Sequence, residues 1–190
     1  MQRFSLTQQA HSWLQNYLRN GDIVIDATAG NGFDTLFLAQ HIGSEGLVYS
    51  FDIQKEALNN TQQRLIDAGL INRIQLIHAN HANLNQYISA NHYQKIRAMM
   101  FNLGYLPKGN KQIITLTNST ITALNHSLEW LAHKSYLTLI AYPAHENGNL
   151  ETEAVLNWCQ SLPISQFNWQ MIENPFASIS SPKLIMVEKY

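Results

Sequence analysis

Apolar residues in this chain follow two rhythms: short unbroken runs, and longer stretches spaced three and four apart. Unbroken runs suit strands buried on both faces, and the wider spacing suits helices that cover a sheet. Residues 5–18 place Leu6, Ala10, Trp13, Leu14, Tyr17 and Leu18 on one helical face, and Asn20-Gly21 stops them. Ile23, Val24 and Ile25 form a compact apolar run. A break follows at Gly30 and Gly32, and Phe33, Leu36 and Phe37 resume at helical spacing that carries to about His41. Strands are predicted at 47–51, 74–78, 96–101 and 135–142, with helices over 54–67 and 150–162. A further helix starts at Gln112 or Thr120 and runs to His133, burying Ala123, Leu124, Leu128 and Leu131. Residues 166–172 and 183–188 close the chain as a pair of strands. This alternation predicts an α/β fold, a doubly wound and mostly parallel sheet of about seven strands with an antiparallel edge hairpin.

Composition narrows the class. At 190 residues the chain fits one domain, 1–190, with residues 1–20 as an N-terminal cover helix. Apolar residues make up 45% and charged residues 13%, the balance of a globular rather than a disordered chain. A formal charge of −1 argues against a generally basic nucleic-acid binder, yet leaves room for a local cationic patch on folded RNA. The single Cys159 excludes an internal disulfide framework, and no adjacent cation activates its thiol. No charged-then-apolar leader opens the sequence, and no apolar run reaches the ~18 residues of a membrane span. The expectation is a cytoplasmic protein without membrane contact. Oligomeric state stays open, a homodimer included.

The candidate chemistry gathers where strands hand over to loops. Strand, glycine turn and helix start, in the order of residues 22–38, set backbone N–H groups at the carboxyl edge of the sheet, where open α/β folds bind ligands. A dinucleotide fingerprint needs a third glycine where Thr35 stands, and a P-loop needs a Gly-Lys-Ser/Thr ending that is missing. Asp26 and Asp34 flank the Gly30-Asn31-Gly32 turn. Two carboxylates repel a pyrophosphate but suit a ligand with an ammonium and a sulfonium, such as S-adenosylmethionine. Asp52 ends the second strand, followed by Ile53 and Gln54. It has two acceptor oxygens for ribose hydroxyls, and it equally suits the N-cap of the next helix.

Asn80 and His81 follow the third strand, placed to hydrogen-bond or stack on an adenine. His78-x-x-His81 is a poor metal pair: rings on a strand-to-loop turn need not converge, and no further ligand is spaced to complete a shell. No metal is expected. Asn102 ends the fourth strand, where its amide oxygen can accept from an amine and align the nitrogen lone pair with a methyl group; a plain turn over 102–107 is the alternative. Tyr105 offers a ring to stack on a base or a phenol to hydrogen-bond. His145, after the fifth strand, either relays a proton near neutrality or sits solvated in its loop.

Residues 26–39, Asp-Ala-Thr-Ala-Gly-Asn-Gly-Phe-Asp-Thr-Leu-Phe-Leu-Ala, resemble motif I of a small class I methyltransferase family. That family was first labelled as rRNA methylases and has since been linked to methylation of 5-aminomethyl-2-thiouridine at the tRNA wobble position. Asn102-Leu103-Gly104-Tyr105-Leu106-Pro107, Gly109-Asn110-Lys111, Tyr142-Pro143-Ala144-His145 and the closing Pro182-Lys183-Leu184 with Glu188-Lys189 resemble its other blocks. The resemblance covers nearly everything from Asp22 onward. Two positions depart from it: Ala144 stands where the family has Gly, and Asn110 where it usually has Asp. Ala adopts positive φ less readily than Gly, which bears on how His145 is presented.

The resemblance implies a Rossmann-like class I methyltransferase fold, S-adenosylmethionine as methyl donor, and the anticodon region of tRNA as partner. Asn102 would orient the aminomethyl nitrogen, Tyr105 would hold the base, and His145 would take the proton. Asp26, Gly30, Asn31, Gly32, Asp34, Thr35, Asp52, Ile53, Gln54, Asn80, His81 and Asn102 would surround the donor. Arg3, Lys108, Lys111 and Lys183 are candidate phosphate contacts. An rRNA base or a small amine as acceptor, or a non-catalytic binding module that keeps the fold, are the alternatives.

Overall fold

The computed structural model describes residues 5–104, 114–144, 147–173 and 178–190. Helix α1 (Leu6–Leu14) leads to strand β1 (Ile23–Asp26), helix α2 (Phe33–His41), strand β2 (Leu47–Asp52), helix α3 (Lys55–Asp67) and strand β3 (Ile74–His78). Strand β4 (Ile96–Asn102), helix α4 (Thr117–Trp130), strand β5 (Leu131–Ala141), helix α5 (Gly148–Ser161), strand β6 (Phe167–Glu173) and strand β7 (Lys183–Lys189) follow. The sheet has seven strands in the order β3-β2-β1-β4-β5-β7-β6. The first five pair in parallel, and β7 runs antiparallel between β5 and β6. This is the doubly wound sheet with an antiparallel edge that the alternation predicts.

Successive strand residues point to opposite faces. Val24, Val48, Ala98, Met100 and Ile140 therefore share one face with Leu14, Phe37, Leu38 and Leu65 of the first three helices. Ile25, Phe51, Met99, Phe101 and Leu139 share the other with Leu124, Val155 and Trp158 of α4 and α5. Both faces are covered, so the strands read as unbroken apolar runs rather than alternating ones. A fully buried aliphatic side chain in such a core contributes about 1.5–3 kcal/mol relative to an exposed one.

Two boundaries differ from the sequence reading. Helix α1 stops at Leu14, because the Asn16 amide donates back to the Ser12 and Trp13 carbonyls and the chain tightens into a turn. Leu18 is buried all the same. Helix α4 ends at Trp130, and Leu131 is the first residue of β5, paired with Ile96, rather than part of a helix running to His133. The pairing register then shifts, with Ala98 opposite Tyr136 and Lys134 held at φ 57. No Gly or Pro marks that junction, so periodicity alone runs through it. Residues 81–86 and 90–92, left unassigned by the pattern, are short 3₁₀ turns.

Candidate functional site

Strand order reverses between β1 and β4: the chain runs outward from β1 through β2 to β3, then returns to β4 and continues the other way to β5. A crevice forms at the carboxyl ends of strands where such a reversal occurs. Here it is a cleft of about 1710 Å³ lined by the glycine turn, the ends of β2, β3 and β4, and Tyr142 after β5.

The turn is built by contacts that the sequence could not display. Gly30 and Gly32 sit at φ 53 and φ 78, values that glycine adopts without steric cost. A Cβ on Gly32 would lie 2.8 Å from the Thr61 Cα, so glycine also lets α2 start against α3. The Gly30 N–H donates to Asp52 Oδ2 at 2.9 Å, and the Gly32 N–H to the Ala29 carbonyl at 2.8 Å. These two amides are thus engaged by the protein and are not the bare anion cradle expected from the motif.

Asp26 and Thr35, expected beside the ligand, are placed behind the turn. Asp26 is fully buried and does not line the cleft; Thr35 Oγ1 donates to its Oδ2 at 2.5 Å and the Thr28 N–H to its Oδ1 at 3.1 Å. Burial above all, and then the charge of Asp34, push the Asp26 carboxyl up to about 7. The pair acts on the shape of the turn.

Asp52, Ile53 and Gln54 line the cleft. The Asp52 carboxylate bridges two segments, accepting the Gly30 N–H on one oxygen and the Gln54 N–H, at 2.8 Å, on the other. Both roles foreseen for it coexist, since each oxygen keeps a further lone pair. Burial raises its pKa, with the backbone donors and then His78 opposing. Asn31 lines the same wall; its carbonyl accepts from Arg64 Nε at 2.7 Å, while Arg64 lies 3.8 Å over the ring of Phe33.

Asn80 and His81 also line the cleft. The Asn80 side chain accepts the Ala82 N–H at 2.8 Å. His81 is buried, with Nδ1 3.2 Å from the Ala27 carbonyl, so Nδ1 carries the proton and Nε2 is an acceptor. Burial pushes this imidazole down to about 4. Its Nε2 is a buried atom with no hydrogen-bond partner among the described residues. His78 instead turns to the Ile53 carbonyl at 2.9 Å, so the two histidines serve different acceptors. Among the described residues no group of three His, Cys, Asp or Glu side chains is arranged to hold a metal.

Asn102 lines the opposite wall, its backbone N–H donating to Thr28 Oγ1 at 2.7 Å. The chain beyond it is pinned: Gly104 and Thr115 exchange hydrogen bonds, and Thr115 Oγ1 donates to the buried Glu151 at 2.8 Å. Thr120 Oγ1 donates to the other Glu151 oxygen at 2.6 Å. Nothing in the sequence distinguished Glu151 from a solvated helix residue.

Asp34 lines the cleft and is 6% exposed. Its partner is His11 of α1, with Nε2 donating to Asp34 Oδ1 at 2.6 Å. The polar side of an amphipathic helix gave no sign of this contact. Tyr105 and His145, with Arg3, Lys108 and Lys111, lie outside the described residues. Lys183 is paired with Glu173 at 2.5 Å on the edge hairpin and does not line the cleft.

Residues 48–188 match the family model described as "Putative rRNA methylase". A relative from Arabidopsis thaliana, named tRNA (mnm(5)s(2)U34)-methyltransferase, chloroplastic, is 34% identical over 93% of this chain and 68% of its own length. The chain belongs to this methyltransferase family. The crystal structure of a Clostridium thermocellum rRNA-methylase of the same "putative" description is 36% identical, covers 100% of both chains and superposes with a TM-score of 0.93. A Streptococcus mutans protein described as "a putative methyltransferase", crystallised with S-adenosylhomocysteine, is 33% identical over 99% of each chain, with a TM-score of 0.87. Family and fold together make this chain a class I, S-adenosylmethionine-dependent methyltransferase.

Proposed function

We propose that this chain methylates the aminomethyl nitrogen of 5-aminomethyl-2-thiouridine at the wobble position of tRNA. The observation that carries the acceptor's identity is the Arabidopsis relative, whose named reaction is at U34 and whose similarity extends over 93% of this chain. Cytoplasmic placement and recognition of the anticodon region belong to the same proposal.

The cleft's own chemistry fits an adenosyl donor. Asp52 has spare lone pairs for ribose hydroxyls, and the orphaned Nε2 of His81 is an acceptor waiting for a donor such as an adenine amino group. Ile53 and Gln54 would wall the purine, Asn80 would face its edge, and Gly30 and Asn31 would lie along the sugar. Asp26, Gly32 and Thr35 hold the turn in shape from behind.

When bound, S-adenosylmethionine supplies a methyl group activated by a cationic sulfur. The protein's remaining task is alignment and exclusion of water. Asn102, at the tip of the strand beside the reversal, would accept from the incoming nitrogen and turn its lone pair toward the methyl. Glu151, through Thr115 and Gly104, fixes the backbone that follows Asn102. The acceptor arrives mostly as an ammonium, since simple alkylamines titrate near pH ~10. It must lose a proton before it can attack.

The test is purified protein, labelled methyl donor, and tRNA from cells lacking the modification, with nucleosides resolved by mass spectrometry. Label in 5-methylaminomethyl-2-thiouridine supports the proposal. Label confined to ribosomal RNA supplied in parallel would favour the reading suggested by the family's description, and would sink this one.

A further inference from the structure

We propose that Asp34 is the proton acceptor for the acceptor amine, with His11 holding its carboxylate in position. This rests on the N-methylation reading above and gives the proton an acceptor other than His145, which lies outside the described residues.

Asp34 stands in the first turn of α2, next to the glycine turn, and lines the cleft although it is only 6% exposed. Among the described residues no Lys or Arg pairs with this buried carboxylate, which suits a cation that arrives with the substrate. Among the described residues its ion-pair partner is His11, 2.6 Å away and reaching over from the N-terminal helix. The imidazole is held in place by stacking on Phe37, with ring centroids 3.9 Å apart and planes 3° from parallel. His11 does not line the cleft, so it acts on the cleft through the carboxylate that it holds. This is the arrangement of a carboxylate base that faces the cleft and is fixed from behind by a hydrogen-bond donor.

The location favours the acceptor over the donor. Tyr142 follows β5, on the far side of the reversal from Asp52 and His81, and burial, then the charge of Asp34, raise its phenol. Asp34 therefore lies at the boundary between the two halves of the cleft, within the electrostatic reach of the half that begins at Asn102. Among the described residues the titratable groups facing the pair are Asp26 from β1 and Tyr142 beyond β5; His41 packs on the same Phe37 ring at 4.5 Å. Asp26 and Asp34 repel each other, which adds to the site's preference for an incoming positive charge.

In the proposed step the substrate ammonium gives one proton to the Asp34 carboxylate, whose Oδ1 keeps the His11 N–H, and is left with a free amine lone pair. That lone pair forms the new N–C bond while the S–C bond breaks and its electrons stay on sulfur. The product is a secondary ammonium, and Asp34 releases its proton to solvent as the products leave.

The experiment uses the full chain, a tRNA carrying 5-aminomethyl-2-thiouridine, and variants Asp34→Asn, His11→Gln and His11→Ala, each checked for folding by circular dichroism. Two readouts are taken: kcat across pH at saturating donor, and the Kd of S-adenosylhomocysteine by calorimetry. Asp34→Asn should lose about 100-fold or more in kcat near neutrality, the usual size of a general-base loss. The deficit should close as pH approaches ~10, where the amine arrives neutral. His11→Gln keeps a donor toward Asp34 and should restore most of the kcat that His11→Ala loses. Ligand Kd should stay within threefold in all three. A wild-type kcat and pH profile in Asp34→Asn, or His11→Gln as impaired as His11→Ala, would overturn the proposal. So would a tenfold rise in ligand Kd with unchanged kcat, which would assign the pair to the donor's own ammonium. Wild-type protein inactive on this tRNA would instead refute the proposed substrate.

Discussion

Replacing Asp52 by Ala tests the donor site most directly. Its carboxylate accepts the Gly30 and Gln54 N–H groups at 2.9 and 2.8 Å, so the substitution removes two contacts that join the glycine turn to the end of β2. It also removes the acceptor proposed for the ribose. A hydrogen bond to a charged group contributes about 1.5–3 kcal/mol, which corresponds to a roughly ten- to 150-fold rise in Kd. The carboxylate is only partly buried, so unfolding free energy should fall by only about 1–2 kcal/mol.

Isothermal calorimetry with S-adenosylhomocysteine separates the two effects, because it is run far below the unfolding transition. Asp52→Asn keeps one acceptor oxygen but turns an NH2 group toward a backbone donor, and should fall between Ala and wild type. Burial raises this carboxyl above 3.8, and the ligand needs its charged form, so affinity should weaken as pH falls into that raised range. A Kd within threefold of wild type for Asp52→Ala, with the fold intact, would refute the reasoning.

Four further outcomes follow from the geometry. Gly32→Ala adds a Cβ 2.8 Å from the Thr61 Cα at φ 78, and should cost about 2–4 kcal/mol in urea denaturation; a loss below about 0.5 kcal/mol would contradict the clash. Asp26 titrates near 7 in the fold against 3.8 unfolded, so its stabilising contribution is full below pH ~4 and is lost as pH rises through about 7. The wild-type stability relative to Asp26→Asn should therefore drop by up to about 4 kcal/mol between pH ~4 and ~8, and equal slopes for the two proteins would refute the assignment. Glu151→Ala strands the Thr115 and Thr120 hydroxyls and should destabilise by about 3 kcal/mol, with kcat falling more than donor affinity; an unchanged kcat would show that Asn102 needs no such support. Burial pushes the Cys159 thiol up to about 12, so iodoacetamide should leave the folded protein unlabelled at pH ~8 and label it in urea.

Elements with a strong local signature were legible without coordinates. The apolar runs at 23–25, 47–51 and 96–101 had to be strands covered on both faces, because no other element buries every side chain in so short a stretch. The glycine turn and the polar residues at strand ends, Asp52, Asn80, His81 and Asn102, followed from the rule that ligands gather at the carboxyl edge, and all four line the cleft. Helix ends were less legible: Leu131 satisfies a helical face and a strand start equally well, and the pairing with Ile96 decides between them.

The tertiary structure decided which side of the turn each residue serves. Asp26 and Asp34 are equivalent in the string of letters, flanking one turn. One packs fully buried behind it and the other lines the cleft, because a strand end and a first helical turn face opposite ways there. His11 and Asp34 are separated by 23 positions, and Thr115 and Glu151 by 36, so no periodicity or motif could join them. Local pattern fixes what a segment becomes, since helix and strand need only neighbours a few residues away. Partnership between segments is set by how the layers pack, and in this protein the partnerships create the chemistry.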